Sequence, residues 1–163
     1  MNKEELKNRL RKLRLIKLAD GRFDVLGDAS FSSLRLNSLL ELPIKIRRVT
    51  GNFYCSFNSL TSLEGAPERV DGSFYCGSNQ LTTLKGAPEF VGGGFDCNGN
   101  QLTTLEGAPK FVGRYFNCDH NSLTSLEGAP KYVDGNFLCI GNPEKFTKEE
   151  VRKLVDVKGE VVV

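Results

Sequence analysis

Apolar residues recur along the middle of this chain at two spacings at once. Over a few residues they alternate with polar ones, as at Val91, Gly93, Phe95 and Cys97, the period-two pattern of a short strand with one buried side. Over a longer distance the whole phrase returns every 21 residues: VTGNFYCSFNSLTSLEGAPER, VDGSFYCGSNQLTTLKGAPEF, VGGGFDCNGNQLTTLEGAPKF, VGRYFNCDHNSLTSLEGAPKY and a partial VDGNFLCIGN. A unit this short cannot enclose a core, but stacked copies can share one, so the period predicts a solenoid whose rungs form a parallel sheet. Upstream, Asn37, Leu39 and Leu42 fall one step before Asn58, Leu60 and Leu63. The segment VLGDASF (Val25 to Phe31) reads as a worn V-x-G-x-F with shifted spacing, which places about six rungs over residues 24–142.

The invariant letters define columns. Cys55, Cys76, Cys97, Cys118 and Cys139 form an inward one. Parallel stacking does not turn neighbouring thiols toward each other, so they are expected to be free, buried filler. Asn58, Asn79, Asn100, Asn121 and Asn142 stand where the chain leaves the strand, and an amide that donates and accepts can satisfy stranded backbone groups there. Thr61, Thr82, Thr103 and Thr124, with the hydroxyl residue after each, fall in the following bend and are expected to bond local backbone. Each GAP then turns the chain through a permissive Gly and a Pro of fixed φ, leaving a convex side without helices.

Both open ends need caps. Leu6, Leu10, Leu13 and Ile16 recur at helical spacing, so residues 1–23 are expected to form an amphipathic capping helix. At the other end, residues 143–163 hold a Thr147/Glu150 capping box with Phe146 and Val151 as a hydrophobic staple. A helix over Lys148 to Leu154 is expected, then a closing strand or a small hairpin around Lys158 and Gly159.

Charge refines this picture at one end only. The formal net charge is +2, yet residues 1–18 hold seven Lys or Arg against Glu4 and Glu5, so the remainder is net −3. No segment has the long apolar run of a membrane span, and the first residues lack the apolar stretch and cleavage site of a secretory signal. A cytoplasmic location without membrane contact is the expectation.

The pattern F-x-C-x-x-N-x-L-x-x-L resembles the leucine-rich-repeat signature, with Phe and Cys in two strand positions usually held by Leu. The short period and the GAP segment resemble the compact repeats of bacterial effectors, and GNFYCSFNSLTSLEGAP resembles repeat proteins found in tailed-phage genomes. The resemblance covers residues 24–142. It implies a leucine-rich-repeat-like solenoid of the α/β class but mainly β: a right-handed superhelix with a parallel sheet and a cap at each end. It also implies a phage protein that binds and inhibits a bacterial host protein in the host cytoplasm.

If the inward columns are uniform scaffold, function belongs to the outward letters that change between rungs. The residues flanking each Phe and Cys supply Tyr54, Tyr75, Asp96, Asn117 and Leu138, with Tyr115, Asp119, Phe57 and His120 in neighbouring columns. Aromatic anchors among small polar groups suit a protein-binding face. Phe90, Phe111 and Tyr132 form a second aromatic column that could serve self-association, so monomer and homodimer both remain open. Lys7, Arg11 and Arg14 could meet an anionic partner, nucleic acid being the alternative to protein. Chemistry is poorly served. His120 is the single His, Cys118 belongs to a core column, and no Gly-rich phosphate loop occurs, so no catalytic residue, cofactor or metal site is expected.

Overall fold

Two separate dipeptides per repeat carry the strands: the Val with the residue before it, and the Phe with the residue after it. The computed structural model describes residues 3–163. In it the first dipeptide builds one parallel sheet, through Phe23–Leu26, Ile46–Val49, Arg69–Val70, Phe90–Val91, Phe111–Val112, Tyr132–Val133 and Asp156–Val157. The second builds another, through Ala29–Ser30, Phe53–Tyr54, Phe74–Tyr75, Phe95–Asp96, Phe116–Asn117, Phe137–Leu138 and Val161–Val162. The result is a parallel β-solenoid of about seven turns among the described residues.

The expectation of one strand running from each Val to each Cys needs correction. The N–H groups of Gly92 and Gly93 bond back to Val70 and Gly72 of the preceding turn, whereas those of Phe95 and Cys97 bond forward to Tyr115 and Asn117. The ladder therefore breaks at a corner. Backbone passes close to backbone there: a Cβ on Gly93 would lie 2.4 Å from Ser73 Oγ and 2.7 Å from its backbone N. The Val, Phe and Cys columns stay buried on both sides of the corner, but the Gly column expected to point inward does not: Gly51, Gly72 and Gly135 are only half-buried and Arg114, in the same place, is exposed, because the chain turns there.

Between the sheets lie a single Asn and a rank of leucines. Phe53, Phe74, Phe95, Phe116 and Phe137 stack along the axis with ring centroids 5.2 to 5.5 Å apart, and Phe31 tilts by 49° against Phe53 at 5.8 Å; all six are fully buried. Asn100 shows how the turn is tied: Oδ1 accepts from Leu81 N at 3.0 Å, while Nδ2 donates to Cys76 O and Cys97 O at 3.2 and 3.0 Å. Asn79, Asn121 and Asn142 repeat these bonds in their own turns, and Asn58 takes Leu34 N and Leu36 N together. Asn37, in the same frame, is exposed. All five thiols are free and buried, and those of Cys76, Cys97 and Cys118 donate to carbonyls of the next turn.

The hydroxyls after the threonines behave as local caps: Thr83, Thr104 and Ser125 accept from the backbone N two residues on. The glycines of the GAP corners adopt φ of +80° to +93°, and a Cβ on Gly86 would meet Leu63 and Glu64 backbone at 2.5 to 2.6 Å. Conformation and space both require Gly there. One 3-10 turn at Leu39–Glu41 interrupts an otherwise extended and turn-built return path.

Both ends depart from the sequence expectation. Helix α1 covers Lys3–Lys12, and the chain then forms an antiparallel hairpin, Arg14–Lys17 on Phe23–Leu26, turned at Asp20–Gly21. Leu6 is buried and Leu10 and Leu13 pack on the core, but Ile16 sits on the exposed hairpin strand. Helix α2 covers Lys148–Leu154 with the Thr147/Glu150 capping box in place. The segment after it is neither a lone closing strand nor a hairpin: Val157 pairs with Val133 and Val161 with Phe137, both parallel. It is a seventh turn, offset by 24 residues. The first turn has the same offset, with Ala29 beside Phe53 and Phe31 filling the cysteine column. An arginine closes each end. Arg9 donates to Ser30 O and Oγ, and Arg152 donates to Val157 O and Gly159 O at 2.8 Å each.

Candidate binding surface

Outward residues of the phenylalanine sheet are held in columns by the rungs beneath them. Tyr54 and Tyr75 are register partners and stack with centroids 4.9 Å apart and planes 3° off parallel. Asn52 Nδ2 donates to the Tyr54 hydroxyl at 3.1 Å, fixing the first ring. Tyr115 comes from two turns further on and leans over Gly94, whose added Cβ would lie 2.4 Å from Tyr115 Cε1. Burial, then its hydrogen bond with Tyr75, pushes the Tyr115 hydroxyl well above 10.0. Three tyrosines thus form one cluster.

The column continues with a change of chemistry, since Asp96 is the register partner of Tyr75. Its Oδ1 accepts from Asn98 N at 3.1 Å. Burial pushes the Asp96 carboxyl above 3.8 despite that bond, and the charge of Asp119 pushes the same way. Asp119 is itself raised by burial; its Oδ1 accepts from Ile140 N at 2.7 Å. Neither aspartate enters an ion pair among the described residues.

Beside these columns lies a cleft of about 320 Å³ bordered by Tyr54, Tyr75, Asp96, Asn98 and Gly77, with Phe57 at its lip. Phe57 is 66% exposed and sits at φ +58°, a region bulky residues seldom occupy. Ser78, Gly99, His120 and Gly141 repeat the left-handed backbone at the same position of later turns. The cleft therefore gathers Tyr54, Tyr75, Asp96 and Phe57 of the expected site, with Tyr115 flanking. Asn117, Asp119, His120 and Leu138 lie further along the same face. Asn98 and Gly77 complete the cleft; their outward column was readable, but their shared geometry was not.

His120 and Cys118 do not form a pair. The left-handed turn at His120 carries its exposed ring against Gly141, while the Cys118 thiol is buried, donates to Leu138 O and is raised by burial. No group of three or more potential metal ligands occurs among the described residues.

The valine sheet presents the other aromatic column. Phe90 stacks on Phe111 and Phe111 on Tyr132, at 4.9 and 5.2 Å, with the Arg69 guanidinium 3.8 Å over Phe90 and Lys158 Nζ 5.5 Å over Tyr132. Cations thus end the stack on both sides, and each of the three rings is half-buried. Asp71 holds both Arg48 and Arg69; burial pushes its carboxyl up, but the two guanidiniums win and keep it below 3.8. At the N-terminal end Lys7, Arg11 and Arg14 are exposed, whereas Arg9 pairs with Glu5.

No helix among the described residues is long and apolar enough to cross a membrane. No family model, curated protein or solved structure matches this chain.

Proposed function

We propose that this chain is a non-catalytic interaction module that binds another protein through the outward face of its phenylalanine sheet. The observation that carries this reading is the cleft where the stacked Tyr54 and Tyr75, the exposed Phe57 and the half-buried Asp96 meet on a backbone fixed from rung to rung. Aromatic anchors around a partly desolvated polar group are what protein interfaces concentrate at their centres, and strand-mounted side chains hold their geometry better than loop-borne ones. The resemblance to phage-encoded repeats makes the partner a bacterial host protein that the chain inhibits in the host cytoplasm.

Affinity capture from a bacterial lysate, with a Tyr54→Ala/Tyr75→Ala double variant as control, tests the reading. Loss of the captured protein with little change in melting temperature supports it; equal capture by the double variant removes the face from consideration. A second reading, contact with nucleic acid, draws support from the exposed Lys7, Arg11 and Arg14. Salt-sensitive binding to random duplex DNA that is lost when these three become Ala would favour it. Self-association through Phe90, Phe111 and Tyr132 is the weaker alternative, because the cations of Arg69 and Lys158 already cover the two ends of this stack.

A further inference from the structure

We infer that the cleft between Tyr75 and Asp96 receives an arginine side chain from a basic segment of the partner protein. The inference rests on the proposed use of this face and names what the face recognises. The tyrosine stack stops at Tyr75, and its register partner on the next rung is a carboxylate. Adjacent rungs stand about 4.8 Å apart. A planar cation lying near that step meets an aromatic face on one side and an acceptor on the other, the two contacts a guanidinium makes best.

The acceptors on hand match the donors of a guanidinium fork. Asp96 supplies a carboxylate whose one hydrogen bond comes from Asn98 N. The Asn98 side-chain Oδ1 faces the space above Gly77, where an added Cβ would lie only 2.5 Å from it. Asp119 adds a second negative charge nearby. No nearby cation pairs with Asp96: Arg9 binds Glu5 and Ser30, Arg114 acts on Tyr115, and His120, against Gly141, acts on Asp119. Asp96, partly buried and in no ion pair, is a standing cost to the fold that a basic partner lowers.

Phe57 gives an independent observation at the same place. A phenylalanine in left-handed backbone with two-thirds of its surface in water is unfavourable twice over, whereas later turns put Ser78, Gly99, His120 and Gly141 at that position. Its ring lines the same cleft as Asp96, where it would cover the methylene stem of an entering arginine. A lysine would satisfy the charge but neither the fork nor the planar stack.

The test is a two-dimensional amide NMR titration of the full chain with N-acetyl-L-arginine methylamide, run beside the lysine and norleucine counterparts. The expected result is saturable shifts at Gly77, Asp96 and Asn98, with arginine favoured over norleucine by roughly tenfold. The preference should fall to near unity in Asp96→Asn, whose folding is checked by its own spectrum. Equal response to arginine and norleucine, or an arginine preference that survives Asp96→Asn, overturns the inference. So does a concentration-dependent rise in mass with shifts in α1, which would put a second copy's basic helix in the cleft. If arginine selectivity is absent while the Tyr54/Tyr75 double variant still loses its captured protein, the face reading stands and the arginine falls.

Discussion

The ring of Tyr115 occupies the space that a side chain at position 94 would fill, because the rung below it carries Gly94. This vacancy brings Tyr115 to Tyr75. Gly94→Ala should push the ring aside, since a Cβ would stand 2.4 Å from Cε1. Gly94 has no left-handed backbone to lose, so the fold should tolerate the change. The expected outcome is an altered near-ultraviolet tyrosine signal and weaker partner capture with a melting temperature close to the parent's. An unchanged tyrosine signal would mean the ring does not depend on the gap.

Asn100 closes three backbone groups that water cannot reach. Asn100→Ala should therefore cost about 1–3 kcal/mol in urea unfolding. Asn37→Ala, in the same frame but exposed, should change stability by less than about 0.5 kcal/mol. Similar losses in the two variants would refute the assignment of the column to backbone satisfaction.

Phe95 sits between Phe74 and Phe116 at 5.3 and 5.5 Å and is fully buried. Truncating it to Ala opens a cavity that rungs on both sides keep from collapsing. A loss of about 3–5 kcal/mol is expected by chemical denaturation. Full retention of stability would break the rung scheme.

Asp96 lies above 3.8 in the folded chain because burial, with Asp119, disfavours its charge. Folding thus favours its protonated form, so the charged group subtracts stability at neutral pH. The subtraction fades as pH falls through the raised value toward 3.8. Asp96→Asn should melt higher than the parent at neutral pH, and the gap should close in acid. A variant that melts lower at neutral pH would contradict the direction of the shift.

Arg152 satisfies two carbonyls of the last turn, and an unpaired sheet edge invites pairing with another chain. Arg152→Ala should cost about 1–2 kcal/mol and raise the light-scattering mass at high protein concentration. Combined with Arg9→Ala, which bares Ser30 at the opposite edge, the variant should associate further. A monodisperse double variant would show that the edges are protected by something else.

Much of this architecture was legible because identical letters at a fixed step stack on themselves. Phe95, Cys97, Asn100 and Leu102 each sit above and below their own kind, so the inward columns could be read without coordinates. The terminal turns hid behind two changes. Ala29 and Phe31 trade large for small relative to Phe53 and Cys55, and the step there is 24 residues rather than 21. The same step separates Val133 from Val157, which made a worn repeat look like a hairpin. The corner at Gly92–Gly94 was hidden because the alternating letters run through it unbroken, while the N–H groups reverse direction and the in-and-out alternation is lost. In the binding face, the columns were readable but their cross-talk was not: Tyr115 leaning over Gly94, and Phe57 turned outward by its backbone, depend on what neighbouring rungs leave empty.

The constant 21-residue step has a consequence for how such a chain can vary. Excising one internal unit leaves every inward column matched to its own letters, so the ends still close and only one increment of stability is lost. The outward letters are different, because removing residues 77–97 would seat Tyr75 beside Asn117 and erase the carboxylate step. Two solenoids built from these units could superpose rung for rung and still share no ligand, since adjacency between turns, rather than the content of any one turn, sets what the surface offers.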